Sequence, residues 1–361
     1  MEQEHKIQNI QIPSSLGYVD LLIKSGERFL GALKECKDCG LTSSWNTLQA
    51  HAKFTWMEIL CMVVCALALT GLRRATTKWI FQPFSKWCRL RPKEAEKVPE
   101  SAWKFLFYCA SWFYCSYLLF FTKHNFFHDP PSTFRGWTSG ADVPLEIALL
   151  YLVQGSFYAH STYATLYLDA WRKDSVVMIL HHLVTFNLII FSYAFRYHNI
   201  GILVLFHHDV NDIVLEFSKL NVYFKTRGET YHRVNSIITE IGSVLFSVSW
   251  FWFRLYWFPM KVLYVTCCSS LESNPDIPFY FFFNVLLFAL TLMNIYWFLY
   301  IVMFVMKVVT GQVKEVNDVR EYDISENQKA EVSNAFKDFS HKNTSDSKHS
   351  LVNGFVKNKR V

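Results

Sequence analysis

The chain has 361 residues, of which 52% are hydrophobic and only 18% charged, and it contains 33 Phe, 18 Tyr and 12 Trp. This aromatic and apolar content is above that of ordinary soluble domains and indicates contact with lipid. The formal net charge of +6 fits basic loops that orient a membrane protein, so we do not expect nucleic-acid binding. The composition therefore favours an all-α membrane protein with membrane lipid as a partner.

The N-terminal segment, residues 1–53, is mixed and polar. It lacks the basic start and short apolar core of a cleaved signal peptide. The first apolar run begins near Phe54, so we expect it to be kept as the first transmembrane helix, over residues 54–72. Residues 1–53 are then predicted to form a segment ahead of the membrane.

Further apolar runs along the chain approach the roughly 20 residues that a helix needs to cross a bilayer. Together with the first run they predict about seven transmembrane helices, with the active site inside the helix bundle. The fourth and fifth runs are separated by very few residues, so they must be antiparallel neighbours. The predicted spans are 54–72, 105–121, 145–168, 176–195, 200–218, 234–258 and 278–306.

The orientation follows from the Lys and Arg residues of alternate connections. The connections 73–104, 169–175, 219–233 and 307–361 are richer in these residues than those between them, and basic connections stay in the cytosol. A lumenal N-terminus and a cytosolic C-terminus are therefore predicted. The predicted organisation is a lumenal segment 1–53, a first helix 54–72, a basic cytosolic linker 73–99, a domain of six transmembrane helices 100–310 and a cytosolic tail 311–361.

The tail is charged and poor in apolar residues, which predicts disorder. Its last five residues, 357–361, resemble a lysine-based retrieval signal and favour the endoplasmic reticulum membrane. The alternative is a basic tail that no receptor recognises. Cys36 and Cys39 form the only C-x-x-C pair of the sequence. A zinc site would need further ligands at suitable spacing, so no metal or cofactor is expected. With Cys267 and Cys268 they would face the lumen, where disulfides and free thiols are both possible.

Ionisable side chains inside the fourth and fifth predicted spans point to a functional site, because such groups are costly in a membrane. His181 and Asp212 each lie about six residues, or about 9 Å, from the cytosolic end of their spans. The two groups are therefore expected at one depth. Residues three and four apart share a helix face. The side chains expected at the site from this region are Asp174, His181, His182, Thr185, His208, Asp209, Asp212, Glu216 and Lys219, and span three is expected to add His160 and Tyr163.

A histidine beside a carboxylate is suited to moving protons, because the carboxylate orients the ring and stabilises its cation. An imidazole can also attack an activated acyl group and form a covalent intermediate. The pattern predicts acyl transfer from a thioester to an amine that a base must first deprotonate. Arg172 and Lys173, at the predicted cytosolic mouth, could hold the phosphates of coenzyme A or simply fix orientation.

Several motifs of this region together resemble the ceramide synthases, whose TLC domain the sequence resembles from about residue 100 to 310. The motifs are His181-His182, Ser192-Tyr193, His208-Asp209-Val210-Asn211-Asp212 and Leu215-Glu216-Phe217-Ser218-Lys219-Leu220-Asn221. The resemblance implies an N-acyltransferase that takes long-chain acyl-CoA and a sphingoid base, sphinganine or sphingosine, and forms dihydroceramide or ceramide. Homo- or heterodimers with family members are left open.

The resemblance also implies site roles. His181 and His182 would be essential, one of them carrying the acyl group, and Asp209 and Asp212 would complete the site. Asn221 is expected among the substrate-binding residues. We favour His181 as the nucleophile because it shares a helix face with Asp174 and Thr185. His182 would then move protons or orient the acyl carbonyl.

The region between the first two spans is too short for the homeobox-like insert of many ceramide synthases. Residues 73–104 number only 32. The chain therefore resembles the members without that insert, which implies stearoyl-CoA as the acyl donor. In the family, acyl length is associated with the loop before the last span, here about residues 267–277.

Two other functions are compatible with these residues. A membrane zinc amidase could use His and Asp as ligands to hydrolyse ceramide. Adjacent histidines of one helix diverge by about 100° and rarely reach one metal, which disfavours it. A non-catalytic TLC-type lipid-binding regulator is the second alternative. The His and Asp motifs favour the enzyme.

Overall fold

The computed structural model describes residues 17–34, 36 and 39–311. The predictions of a disordered tail and of a retrieval signal at 357–361 lie outside the described residues. Apart from a two-stranded hairpin, β1 (Thr226–Arg227) and β2 (Thr230–Tyr231), and a short turn at Pro130–Thr133, the regular structure of the described residues consists of α- and π-helices. The expected all-α class is confirmed. The α-helices are α1 (Tyr18–Leu33), α2 (Leu41–His51), α3 (Trp56–Thr76), α4 (Gln82–Trp87), α5 (Pro92–Phe120), α6 (Leu145–Tyr167), α7 (Ser175–Ala194), α8 (His198–Phe224), α9 (Arg233–Trp250), α10 (Ser270–Ser273) and α11 (Tyr280–Val309).

Four helical stretches of the described residues are long and apolar enough to cross a membrane: Trp56–Trp87, Ser175–Ala194, Arg233–Ser273 and Tyr280–Val309. The first joins α3 to α4 through π turns, and the third joins α9 to α10 in the same way. The other long helices, α5, α6 and α8, contain more polar residues, many of them buried. The helices with the weaker hydropathy signal thus include α8, which carries Asp209 and Asp212, whereas the His181-His182 pair lies on the apolar helix α7.

The start of α3 is fixed by local sequence. Thr55 accepts a hydrogen bond from the backbone N–H of Glu58, and the Glu58 carboxylate accepts one from the N–H of Thr55. This reciprocal capping satisfies donors that a helix start leaves unpaired. The other Glu58 oxygen accepts from the Tyr193 hydroxyl at 2.7 Å, so the same side chain joins α3 to α7.

Helix α5 begins at Pro92, well before the predicted limit of residue 105. Proline suits the first turn of a helix because its missing N–H would have no partner there. The charged residues that follow are helical although they are too polar for a membrane core. Residues 73–99, predicted as a linker, are therefore mostly helical, because hydropathy marks the membrane and not the ends of helices.

The helix of the sixth predicted span, residues 234–258, continues well beyond its predicted end. The helix continues from α9 through π turns at Phe251–Trp257, Pro259–Leu263 and Val265–Ser269 into α10. Trp250 and Arg254 are only 4% and 3% exposed, so they lie inside the bundle and do not anchor it at the interface. Wider π turns around Pro259 let the helix pass a residue that cannot donate a backbone hydrogen bond.

Connections that should lie on one side of the membrane contact one another at one end of the bundle. The Trp137 indole donates to the carbonyl of Phe195 at 3.0 Å, and the Tyr197 hydroxyl donates to Pro278 at 2.8 Å. At the other end, Leu90 pairs with Arg227 through the backbone. Successive connections therefore lie at alternate ends of the bundle, which agrees with the predicted up-and-down order of the helices and with the antiparallel pair α7 and α8.

Close packing between helices holds the interior together. Helix α5 packs along α8, which also packs along α9, while α6 lies between α3 and α7. At Gly242 an added Cβ would collide with the Ser218 side chain, so α8 and α9 approach through small residues, as membrane helices often do. Cys36 and Cys39 form a disulfide, whereas Cys267 and Cys268 are buried free thiols.

Candidate active site

His181 lies in the middle of the bundle on α7, between aromatic rings of two other helices. Its ring centroid is 6.3 Å from that of Tyr158 on α6 and 5.3 Å from that of Trp297 on α11. The side chain is buried, and its Nδ1 has no hydrogen-bond partner among the described residues. An imidazole nitrogen in this state keeps a lone pair or a proton for chemistry.

His182 is the next residue but faces a different helix. Its Nδ1 is 3.4 Å from the Thr165 hydroxyl on α6, and its ring centroid is 5.9 Å from that of His181. Consecutive helical residues point about 100° apart, so the two rings border the same space from different directions. Both also contact Tyr158.

Asp209 is fixed by two polar side chains that sequence reasoning missed. One carboxylate oxygen accepts from the Ser111 hydroxyl at 2.6 Å and from the Gln154 amide at 3.0 Å. The other oxygen, Oδ1, is buried and has no partner in the described part of the chain. Helices α5, α6 and α8 therefore meet at one acid.

Asp212 pairs with Arg254, a second contribution that the sequence reading did not assign to the site. The guanidinium is 2.9 Å from the carboxylate, donates to the carbonyl of His208 at 2.8 Å and lies over the Trp250 ring at 4.0 Å. A buried guanidinium needs such partners. The sequence does contain a signal for this residue, because Arg254 lies inside an apolar run, and a charged residue there is by default a functional position.

His208 and Asp174 are both connected to the last helix. His208 Nε2 is 3.1 Å from the Asn294 amide, and its Nδ1 is 2.8 Å from the carbonyl of Val204. The Trp297 indole donates to Asp174 at 3.0 Å. Helix α11 thus supports the site through Asn294 and Trp297, neither of which was predicted.

Ion pairs lie between the site and the end of the bundle where α7 begins. Arg172 donates to both Glu100 oxygens at 2.8 and 3.1 Å, and Lys104 lies 2.8 Å from Glu100 and 2.9 Å from Asp169. Nearby on α8, Glu216 and Lys219 are 2.9 Å apart and buried. Arg172 is therefore held by a protein carboxylate, whereas Lys173 is exposed.

Three of the predicted substrate-binding residues do not join the His–Asp group. The His160 ring contacts Thr70 at 2.9 Å and Tyr163 accepts from Arg74 at 2.9 Å, so both face α3. Asn221 accepts from the Asn235 amide at 3.0 Å and links α8 to α9. On α6, the face that carries His160 and Tyr163 meets the first span, and the opposite face supplies the contacts to Asp209 and His182.

A narrow pocket lined mainly by apolar groups begins one helical turn beyond His181. It includes Thr185, whose buried hydroxyl has no partner among the described residues, and extends along α7 to Ser192. Gly201 of α8 also lines it, and an added Cβ there would collide with the Tyr151 hydroxyl. The far wall comes from α11 and from four residues before it: Thr266 in the last π turn, Ser270 at the start of α10, and Ile277 and Pro278 between α10 and α11.

The site therefore offers an imidazole with an unpartnered nitrogen, two acids held by neutral and cationic donors, and an adjoining apolar pocket. These are the components of acyl transfer by a nucleophilic or basic histidine. In the part of the chain that the structure describes, no group of three His, Cys, Asp or Glu side chains could hold a metal ion.

Comparisons with known proteins show the family of the chain. The TLC domain family model matches residues 97–303. The chain is 56% identical to human Ceramide synthase 1 and 55% identical to the mouse protein, over 95% of this chain and 95% and 94% of theirs. It is 35% identical to bovine Ceramide synthase 4 over 67% of this chain and 59% of that protein. The chain belongs to the TLC-domain family and, within it, to the ceramide synthases.

Proposed function

We propose that the chain is a sphingosine N-acyltransferase, which moves a long fatty acyl chain from acyl-CoA to the amine of sphinganine or sphingosine. The observation that carries the proposal is the unpartnered imidazole nitrogen of His181 beside the apolar pocket. Membership of the ceramide synthases supports the sphingoid base as acceptor, which the geometry alone does not identify. The products are dihydroceramide and ceramide.

In the proposed reaction, an imidazole nitrogen of His181 attacks the thioester carbonyl. The carbon–sulfur bond breaks, coenzyme A leaves as the thiolate, and an acyl-imidazole forms. The sphingoid ammonium loses one proton to a site base, and its amine then attacks the acyl carbonyl and releases the imidazole. The attacking nitrogen then loses its second proton to the thiolate or to solvent, and the amide keeps a single N–H.

The proton acceptors in this scheme are His182 and the acids. Asp212 is the more exposed acid, with 21% of its side-chain surface accessible while it is paired with Arg254, so it is our candidate for contact with the ammonium. Asp209 is fully buried and is our candidate for positioning the site. His182, against Thr165, would orient the acyl carbonyl or move protons.

We further propose that the acyl chain occupies the pocket between α7, α8 and α11. Thr185, which lines this pocket, lies four residues from His181, about 6 Å along the helix. Ser270 and Ile277 belong to the far wall, which supports the segment before α11 as the part that limits acyl length. The stearoyl chain, implied by the resemblance, is the proposed donor.

The proposed setting is the endoplasmic reticulum membrane, with all seven long helices crossing and the N-terminus in the lumen. The up-and-down contacts at the two ends of the bundle support seven crossings, and the basic connections support the orientation. In this topology the ion pairs around Glu100 surround a cytosolic mouth. Lys173, exposed at that end, is the remaining candidate for a coenzyme A phosphate, and dimers stay a proposal.

The test is N-acylation of sphinganine by the purified protein with stearoyl-CoA. We expect His181→Ala and Asp212→Asn to abolish the activity, because each removes a group of the proposed site. His128→Ala is the matched control, since His128 is exposed in a loop, and should keep wild-type activity. Wild-type activity in His181→Ala would contradict the proposal, and release of fatty acid from ceramide without N-acylation would favour the amidase.

A further inference from the structure

A second concave surface lies away from the His–Asp site, where α4 meets the hairpin β1–β2. It is a groove of about 620 Å³ lined by Phe84, Trp87, Cys88, Phe224, Arg227, Gly228, Thr230 and His232. We name it the hairpin groove. Three of its rings form its apolar wall: Phe84 lies 5.8 Å from Trp87 and 5.8 Å from Phe224, measured between centroids.

Basic side chains border this wall. The Arg227 guanidinium lies 5.9 Å from the Phe224 centroid, and Arg89 packs against Gly228. Neither arginine forms a salt bridge with a carboxylate of the described residues. Two guanidinium groups without a carboxylate partner among the described residues, one of them over an aromatic ring, favour an anionic ligand with an apolar part.

The depth of the groove agrees with a lipid headgroup. The helical stretch Trp56–Trp87 has 32 residues, or about 48 Å at 1.5 Å per residue, against a hydrocarbon core of about 30 Å. Its end therefore reaches the headgroup region. Trp87 is 79% exposed, and exposed tryptophan is typical of the membrane interface.

The face of α8 that borders the groove continues along an exposed side of this helix. Phe217 precedes Phe224 by two helical turns on the same face of α8, contacts Phe105 at 5.8 Å and is 43% exposed. Glu216, one residue earlier and about 100° around the helix, is buried. The acyl chain of a lipid could thus lie along Phe224 and Phe217, while the lipid headgroup contacts Arg227 and Arg89.

We propose that the hairpin groove binds an anionic phospholipid of the surrounding bilayer, with the phosphate at Arg89 and Arg227 and one acyl chain along Phe224 and Phe217. A phosphate accepts paired hydrogen bonds from guanidinium groups, and basic residues at the membrane surface bind anionic lipid. The site is separate from the proposed catalytic site and does not depend on the chemistry there.

The test uses the full-length protein in phosphatidylcholine nanodiscs with a trace of photoreactive phosphatidylserine. After illumination, mass spectrometry of peptides measures labelling of residues 82–91 and 221–232. We expect labelling to fall roughly tenfold in the double variant Arg89→Gln/Arg227→Gln. Arg91→Gln/Lys93→Gln is the matched control: it removes the same charge from exposed residues outside the groove and should label like wild type.

Competition identifies the ligand class. Unlabelled phosphatidylserine should displace the probe, and equal amounts of phosphatidylcholine should not. Displacement by acyl-CoA or 3′,5′-ADP but not by phosphatidylserine would overturn the proposal in favour of a nucleotide site, and unchanged labelling in Arg89→Gln/Arg227→Gln would overturn it outright. If that variant elutes abnormally in gel filtration, Trp87→Ala provides the same test, with the same tenfold fall expected and unchanged labelling again contradicting the proposal.

Discussion

The pair formed by Arg254 and Asp212 illustrates how single side chains hold the site. The carboxylate, the His208 carbonyl and the Trp250 ring all contact one guanidinium. Removal of one member of a buried ion pair leaves the other without a partner, which costs about 3 to 5 kcal/mol. The arginine therefore affects both the stability of the bundle and the state of the acid.

We predict that Arg254→Gln destabilises the protein by about 3 kcal/mol or more and lowers kcat for N-acylation by about 100-fold. Asp212→Asn combined with Arg254→Gln should lose less stability than the sum of the two single variants, because no unpaired charge remains. Thermal unfolding in detergent and initial rates measure both effects. Additive stability losses would show that the two groups are not coupled.

For single residues of the site, the sequence identifies the charged side chains but not the neutral ones. His181, His182, Asp209 and Asp212 are recognisable because ionisable groups within apolar runs are rare. Arg254 has the same signal, but it lies near the predicted end of its span at residue 258, where a charged residue is not unusual. Ser111 and Gln154 could not be found, because neutral polar residues at those positions are ordinary in membrane helices.

Helix α6 has one face toward the site and another toward α3, and this division sets the roles of its polar residues. Gln154 and Thr165 contact Asp209 and His182. His160 contacts Thr70 on α3. The helical period alone fixes which residues share a face, but not which neighbour that face meets. The predicted role of His160 at the site therefore depended on a packing partner that the sequence does not specify.

We predict that His160→Ala lowers stability by about 1 to 2 kcal/mol, because the hydrogen bond between the His160 ring and the Thr70 hydroxyl is lost, while kcat of the folded fraction stays within about threefold of wild type. Gln154→Leu, a change on the other face of the same helix, should lower kcat by about tenfold, because Asp209 loses a donor. Initial rates divided by the amount of folded protein distinguish a loss of stability from a loss of kcat. A larger loss of kcat in His160→Ala than in Gln154→Leu would reverse the assignment of faces.

Across the whole molecule, the all-α class and the order of the long helices were predictable, whereas the lengths of these helices were not. Helix α5 begins at Pro92, ahead of its apolar run, and the helix that starts with α9 continues past Pro259 in π form. Hydropathy measures the thickness of the membrane core, and it carries no signal for helix that continues outside this core or in π form. The short turn between α7 and α8 was predictable because so few residues separate two apolar runs.

The proposed topology assigns the loop around Gly140 to the lumen and the hairpin around Gly228 to the cytosol. Both glycines have positive φ and lie outside the helices, so a short insertion should disturb the bundle little. We predict that Asn-Ser-Thr inserted after Gly140 is glycosylated in cells and that the same insertion after Gly228 is not. Glycosylation is detected as a shift in gel mobility that a glycosidase removes. Glycosylation after Gly228 and not after Gly140 would show that the orientation is the reverse of the proposed one.

The central claim, that His181 carries the acyl group, is tested most directly by the intact mass of the purified protein after incubation with stearoyl-CoA alone. We predict one added stearoyl group on wild type and on His182→Ala, no addition on His181→Ala, and loss of the added mass when sphinganine is supplied. An adduct that persists on His181→Ala, or one that sphinganine does not remove, would contradict acyl transfer through this histidine.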